Sequence, residues 1–167
     1  MITGMTITSI GMPKDMLKSR DYFGKKLTKP ALQKAVEFWH DKFMPTHFRP
    51  GAANKYKYRP RKTKTIIRKN RLAAKGLPEA RLPLIWSGAT KRQISRMIRV
   101  TGTAKTASGR MSGPRYIHMY SKGGDRPYLA GEITAVTKKE ANELAKLIEN
   151  EMTQKIQTDT TRTVERV

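Results

Sequence analysis

Apolar positions recur at helical spacing in three stretches of the chain. In the first, Leu32, Val36, Trp39 and Phe43 mark one face of a helix predicted over 29–44. Pro30 suits its first turn, and Pro45 is expected to end it, because the residue before a proline is driven out of helical backbone. Trp39 is the natural anchor of that face. The second stretch, Lys62 to Lys75, sets Ile66, Ile67 and Leu72 to Ala74 against Lys64, Arg68, Lys69, Arg71 and Lys75, with Gly76 as its C-terminal cap. The third opens on a capping box, Thr137-Lys138-Lys139-Glu140, and continues through Ala141, Leu144, Ala145, Ile148, Met152 and Ile156 as the buried stripe of a helix over 137–157.

Between the second and third stretches the period shortens to two. Ser95–Ala104, Arg115–Ser121 and Tyr128–Val136 each alternate and predict an antiparallel meander. The linker from Lys105 to Pro114 is rich in Gly, Ser and Lys and reads as a mobile hairpin loop, and 121–127 as a tighter turn. Leu82-Pro83-Leu84-Ile85-Trp86-Ser87-Gly88 is an apolar plug followed by a turn. In it Trp86 is expected as a second anchor, and Ser87 as the cap of a short helix from Gly88 to Ile94. Residues 1–10 read as a short strand or extended arm, 13–20 as one or two helical turns, and 157–167 as a disordered polar tail or an arm that orders only on assembly. The expected fold is therefore α+β: a small antiparallel sheet of three to four strands packed by the N-terminal and the long C-terminal helix. The domain spans 28–156, with an arm over 1–27 and a tail over 157–167.

Charge changes this picture. The chain has 167 residues and a net charge of +22, yet Lys42 to Lys122 alone holds 21 basic residues and one acid, Glu79. Such a block repels itself unless solvent, an acidic neighbour or nucleic acid offsets it. Its densest part alternates cations with rings in Lys55-Tyr56-Lys57-Tyr58-Arg59-Pro60-Arg61, in a segment that Pro50, Gly51 and Pro60 are expected to keep out of helix. The tyrosines can stack on bases or pack inward. The candidate contact residues are Lys55, Lys57, Arg59, Arg61, Lys62, Lys64, Arg68 and Lys69. Arg59 and Arg61, stiffened by Pro60, suit the acidic side of a neighbouring subunit, with Glu143 and Glu149 as partners, whereas Lys64, Arg68 and Lys69 suit DNA or solvent. With no zinc finger, RNA-recognition aromatics or KH loop, any nucleic-acid contact would be electrostatic and nonspecific.

Candidate chemistry is sparse. There is no cysteine, and His40, His47 and His118 fall on three different predicted elements without ligand spacing. His40 reads as a structural histidine on the rim of its helix. The glycines match no dinucleotide or Walker spacing, and Ile85 stands where a nucleophile elbow would need Gly. No catalytic residue, metal or cofactor is therefore expected. The N-terminus lacks the pattern of a signal peptide, and no apolar run approaches the roughly 20 residues that span a bilayer.

The order of these pieces resembles the tail-completion and head-to-tail joining proteins of tailed bacteriophages, a family that includes virion morphogenesis and minor tail proteins. The likeness rests on the N-terminal helix, the basic Tyr-Lys-Tyr-Arg-Pro-Arg segment leading into a helix, and the Leu82 to Gly88 turn, which is similar to the family's Pro-Leu-Val-x-Thr/Ser-Gly signature. Arg126-Pro127-Tyr128-Leu129 before the last helix completes it, and the whole covers about residues 28–156. Ala89-Thr90-Lys91-Arg92 stands where members usually carry Leu-Arg. The resemblance implies an α+β virion subunit without catalysis, assembled as a hexameric ring in the neck or tail beside other neck, connector or tail proteins, and made in the host cytoplasm. The alternative from the residues alone is a nonspecific nucleic-acid-binding protein acting through the basic patch.

Overall fold

In a computed structural model of the chain, residues 2–8, 20–84, 88–114 and 129–164 are described. They form a mixed, mostly helical α+β arrangement with a small antiparallel sheet. The strands are β1 (Ile2–Thr8), β2 (Met97–Gly102) and β3 (Thr106–Ser112), hydrogen-bonded in the order β1-β3-β2. The helices are α1 (Lys29–Phe38), α2 (Ala52–Lys55), α3 (Thr63–Ala74), α4 (Ala89–Ile94), α5 (Leu129–Ile133) and α6 (Lys138–Val164). They divide into two compact units: Met1–Gly4, His40–Ile98 and Arg110–Thr137 in one, Met5–Trp39, Arg99–Gly109 and Lys138–Val167 in the other.

Helix α1 lies inside a longer helical run whose winding changes along its length. A π-helical stretch, Arg20–Thr28, precedes it, and a second, Trp39–Phe43, follows before a 3₁₀ stretch over Met44–Phe48. Pro30 lies in the first turn of α1, at the junction where the π-helical winding gives way to α-helix. Leu32, Val36, Trp39 and Phe43 are all buried, as their spacing requires. Pro45, expected to stop the helix, instead enters the first turn of the 3₁₀ stretch, so the coil tightens there rather than ends.

In the second unit α1 packs on α6, and the stretch 20–28 packs on both. Lys34 and Glu151 close the α1–α6 seam with an ion pair of 2.5 Å. Leu144 is buried and Ile148 and Met152 are half-buried, but Ala141, Ala145 and Ile156 face solvent while Glu140 is buried and Glu143 and Glu151 are partly covered. The inner face of α6 is thus turned toward its acidic side, away from the purely apolar stripe. Helix α6 also runs to Val164, through most of the stretch expected as a tail.

The expected loop over 105–114 is strand β3. Ala107, Gly109 and Met111 point inward and alternate with partly exposed or exposed residues. A two-residue turn, Ala104-Lys105, joins it to β2 as an antiparallel hairpin. Thr103 N–H donates to Thr106 O at 2.7 Å, and Thr103 Oγ1 accepts from the N–H groups of Lys105 and Thr106. Strand β2 fulfils the Ser95–Ala104 expectation. Tyr128–Val136, read as a strand, instead holds helix α5, where Leu129, Ala130 and Ile133 share a face and Thr134 Oγ1 donates to Ala130 O at 3.0 Å. The proposed strand 115–121, the turn at 121–127 and the helical turns before Arg20 lie outside the described residues.

Glycine permits one close approach in this unit. A Cβ on Gly24 would lie 2.7 Å from Ala104 Cβ, whereas one on Gly102 would meet two flexible side chains, Gln33 at 2.9 Å and Lys29 at 3.4 Å. Alanine in a helix gains up to about 1 kcal/mol over glycine, but overpacking costs about 1 to 3 kcal/mol. Gly24→Ala is therefore expected to destabilise, because Ala104 is held in a tight turn, and Gly102→Ala to destabilise less. Urea denaturation of the two variants checks the order.

Candidate functional site

The basic and aromatic segment is more helical than its prolines and glycines suggested. Met44–Phe48 forms the 3₁₀ stretch, and Gly51, at φ +80°, turns the chain into the single turn of α2. Lys57 adopts left-handed backbone, φ +53°, a conformation that costs a residue with a side chain about 1 to 2 kcal/mol. Tyr56 and Tyr58, on either side of it, both join His47. The His47 and Tyr56 rings stack at 3.7 Å between centroids, and Tyr56 and Tyr58 at 5.9 Å. Tyr58 Oη and His47 Nδ1 are hydrogen-bonded at 2.6 Å, and Tyr56 Oη bonds Thr46 Oγ1. Of the two roles open to these tyrosines, inward packing is the one realised. His47 and Tyr56 are buried and Tyr58 is half-buried, and His40 is buried rather than at the rim, its Nε2 bonded to Ile94 O at 3.1 Å.

Beyond the rings the chain is latched by an acid that the sequence pattern had hidden inside an expected strand. Glu132 on α5 takes both guanidinium nitrogens of Arg61, Nη1 at 3.1 Å and Nη2 closer still, and Oε1 also accepts the Arg59 N–H at 3.1 Å. The Arg61 and Glu132 side chains are only 23% and 10% exposed. This bidentate pairing fixes the orientation as well as the position of the Arg59-Pro60-Arg61 corner. Arg61, expected to meet a neighbouring subunit, is thus held within its own chain.

Lys69 is likewise committed internally. Its Nζ donates to Leu82 O at 2.6 Å, tying α3 to the start of the apolar plug. Burial, and then the Arg61 charge, lower its pKa below the ordinary 10.5. Since the unfolded chain holds this proton more tightly, the charged ammonium disfavours folding at neutral pH, and the penalty disappears as pH rises through the lowered value toward 10.5. The stability of wild type relative to Lys69→Met should therefore rise over that alkaline interval in urea titrations. A flat difference would contradict the burial of the charge.

Helix α3 has no buried residue. Its C-terminus is closed by a Schellman motif: Gly76 takes φ +92°, its N–H reaches Ala73 O, and the Leu77 N–H reaches Leu72 O. Only Thr65, Lys69, Leu72 and Ala73 are partly covered, on the side that meets the short helix Pro78–Arg81. Ile66 and Ile67, taken as the apolar side, are each 48% exposed. Lys64, Arg68, Arg71 and Lys75 are exposed, as are Lys55, Lys57, Arg59 and Lys62. The structure thus separates the eight candidate cations: Arg61 and Lys69 serve the fold, and the other six reach solvent.

Of the plug, Leu82 to Leu84 are half-buried, and Trp86 and Ser87 lie outside the described residues. Gly88, expected as the first helical residue behind a Ser87 cap, is itself the N-cap of α4, at φ +76° and with no side-chain cap bond, so the helix begins one residue later, at Ala89. Among the described residues no group of three or more His, Cys, Asp or Glu is placed to hold a metal, and no helix is long and apolar enough to cross a membrane. Searches against protein-family models, curated proteins and solved structures return no match for the chain.

Proposed function

We propose that the chain is a virion structural protein, a tail-completion or head-tail connector subunit that forms a ring, hexameric by resemblance, at the head-tail junction of a tailed bacteriophage. The observation that carries this reading is the order of pieces along 28–156: helix, basic Tyr-Lys-Tyr-Arg-Pro-Arg segment, helix, Leu82 to Gly88 turn and final helix. In this reading the fold is completed by a sheet of three to four antiparallel strands. Its partners are further copies and other neck, connector or tail proteins.

The exposure of Ile66 and Ile67 supports it. A helix that leaves two isoleucines half in water gains from a protein neighbour that covers them, and a ring supplies one to every subunit. The test is the mass of the purified full chain by light scattering and native mass spectrometry, with images of any rings. A closed oligomer is expected, and Ile66→Asp with Ile67→Asp is expected to dissociate it while leaving the thermal melt of the subunit in place. A monomer at every concentration, combined with failure to join phage neck or tail particles, would overturn the reading.

A further inference from the structure

Helix α3 presents three different faces. With about 100° per residue, Thr65, Lys69, Leu72 and Ala73 lie along one side, which is the partly covered one. Ile66, Ile67, Asn70 and Ala74 lie roughly a third of a turn away. Lys64, Arg68, Arg71 and Lys75, at positions i, i+4, i+7 and i+11, form the third side, a straight row of cations. All four are exposed, and α3 contains no acid. We propose that this row is a contact for the phosphates of duplex nucleic acid, read without regard to sequence. The proposal goes beyond ring formation and does not require it.

Geometry and charge both favour a duplex. The row extends about 16 Å with a cation every 5 to 6 Å or so, at about 1.5 Å rise per residue. Over that length a duplex offers on the order of ten phosphate charges, so each cation finds a partner. A single strand is held chiefly by stacking on aromatic faces, and the rings nearest in sequence, Tyr56 and Tyr58, are already stacked with His47. The row also has a rigid base: the Lys69 bond to Leu82 O and the Schellman cap fix the helix from its other side. Four long side chains on one rigid line favour phosphate contact, which positions but does not specify. An acidic protein surface is the competing occupant.

The experiment measures binding of the full chain to a fluorescent 20-base-pair duplex of arbitrary sequence by anisotropy, from 50 to 200 mM KCl. Three variants are compared: Lys64→Gln/Arg68→Gln/Arg71→Gln, a charge-matched control Lys138→Gln/Lys139→Gln/Lys146→Gln on α6, and the charge-preserving Lys64→Arg/Arg68→Lys/Arg71→Lys. Four contacts give a log-log salt slope of about -3.6, or about a 150-fold loss of affinity across this range. The α3 triple should lower the slope by about 2.7, while the control and the charge-preserving variant keep it close to wild type. Equal losses from the α3 and α6 triples would show a diffuse charge effect and overturn the proposal, as would a single strand bound more tightly than the duplex. Unchanged duplex binding together with lost self-association would assign the row to a neighbouring subunit and overturn it too. Duplex binding is read whether or not rings form, so a failure of the ring proposal is seen separately.

Discussion

Replacing Trp39 by alanine is expected to remove about 3 to 5 kcal/mol of stability, the usual effect of deleting a large buried aromatic side chain. Trp39 has no exposed surface and follows Ala35 and Val36, which are also fully buried, at the point where α1 widens into a π-helical turn. A small surrounding residue set cannot collapse into so large a void without moving the helix backbone. Because domains of this size are stable by about 5 to 15 kcal/mol, the variant should be close to unfolding at 37 °C. Trp39→Phe, which keeps most of the volume, should lose much less. Urea midpoints for both variants decide the matter, and a loss below about 1 kcal/mol for alanine would remove Trp39 from the core.

Glu132→Ala is expected to cost about 3 kcal/mol. Breaking a buried pair by deleting one partner typically costs about 3 to 5 kcal/mol, and the partial exposure of Arg61 places this case at the low end. The loss has two sources on one carboxylate: the bidentate Arg61 contact and the Arg59 N–H. Glu132→Gln keeps one acceptor and should fall between wild type and alanine. Replacing Arg61 and Glu132 together by methionine should cost far less than either charge deletion alone, since no buried charge is then left behind. A double-mutant cycle measures the coupling directly, and additive single effects would show that the latch does not exist in solution.

The candidate site was legible in composition but not in assignment. The cluster of cations from Lys55 to Lys75 is plain in the sequence, yet nothing there separates Arg61 and Lys69, which serve the fold, from Lys64 and Arg68, which face water. That separation depends on Glu132 and on the Leu82 carbonyl, 71 and 13 residues distant in sequence. Glu132 was hidden because Tyr128 to Val136 can be read with period two or period four, and short apolar runs do not distinguish them. Strand β3 was hidden for the opposite reason. Of its inward positions, Ala107 and Gly109 are too small to register, which leaves Met111 as a lone apolar residue rather than an alternation.

By itself the sequence determined the long amphipathic helices, because periodicity over three turns or more outweighs any single misplaced residue, and both the Thr137 start of α6 and the Gly76 stop of α3 follow from local backbone chemistry. It also determined where positive charge accumulates, which no fold can alter. Tertiary structure alone decided which face of α6 turns inward, because α1 and the stretch 20–28 pack on α6 and the covered residues include Glu140, Leu144, Leu147 and Ile148. It alone decided that the tyrosines stack on His47: the chain returns Tyr56 to it through the turn at Gly51 and helix α2, and Tyr58 lies beyond the further left-handed turn at Lys57. And it alone decided that α3, whose pattern promised a buried side, leaves Ile66 and Ile67 in water, for burial needs a surface to face and only the covered side of α3 is given one by its own unit.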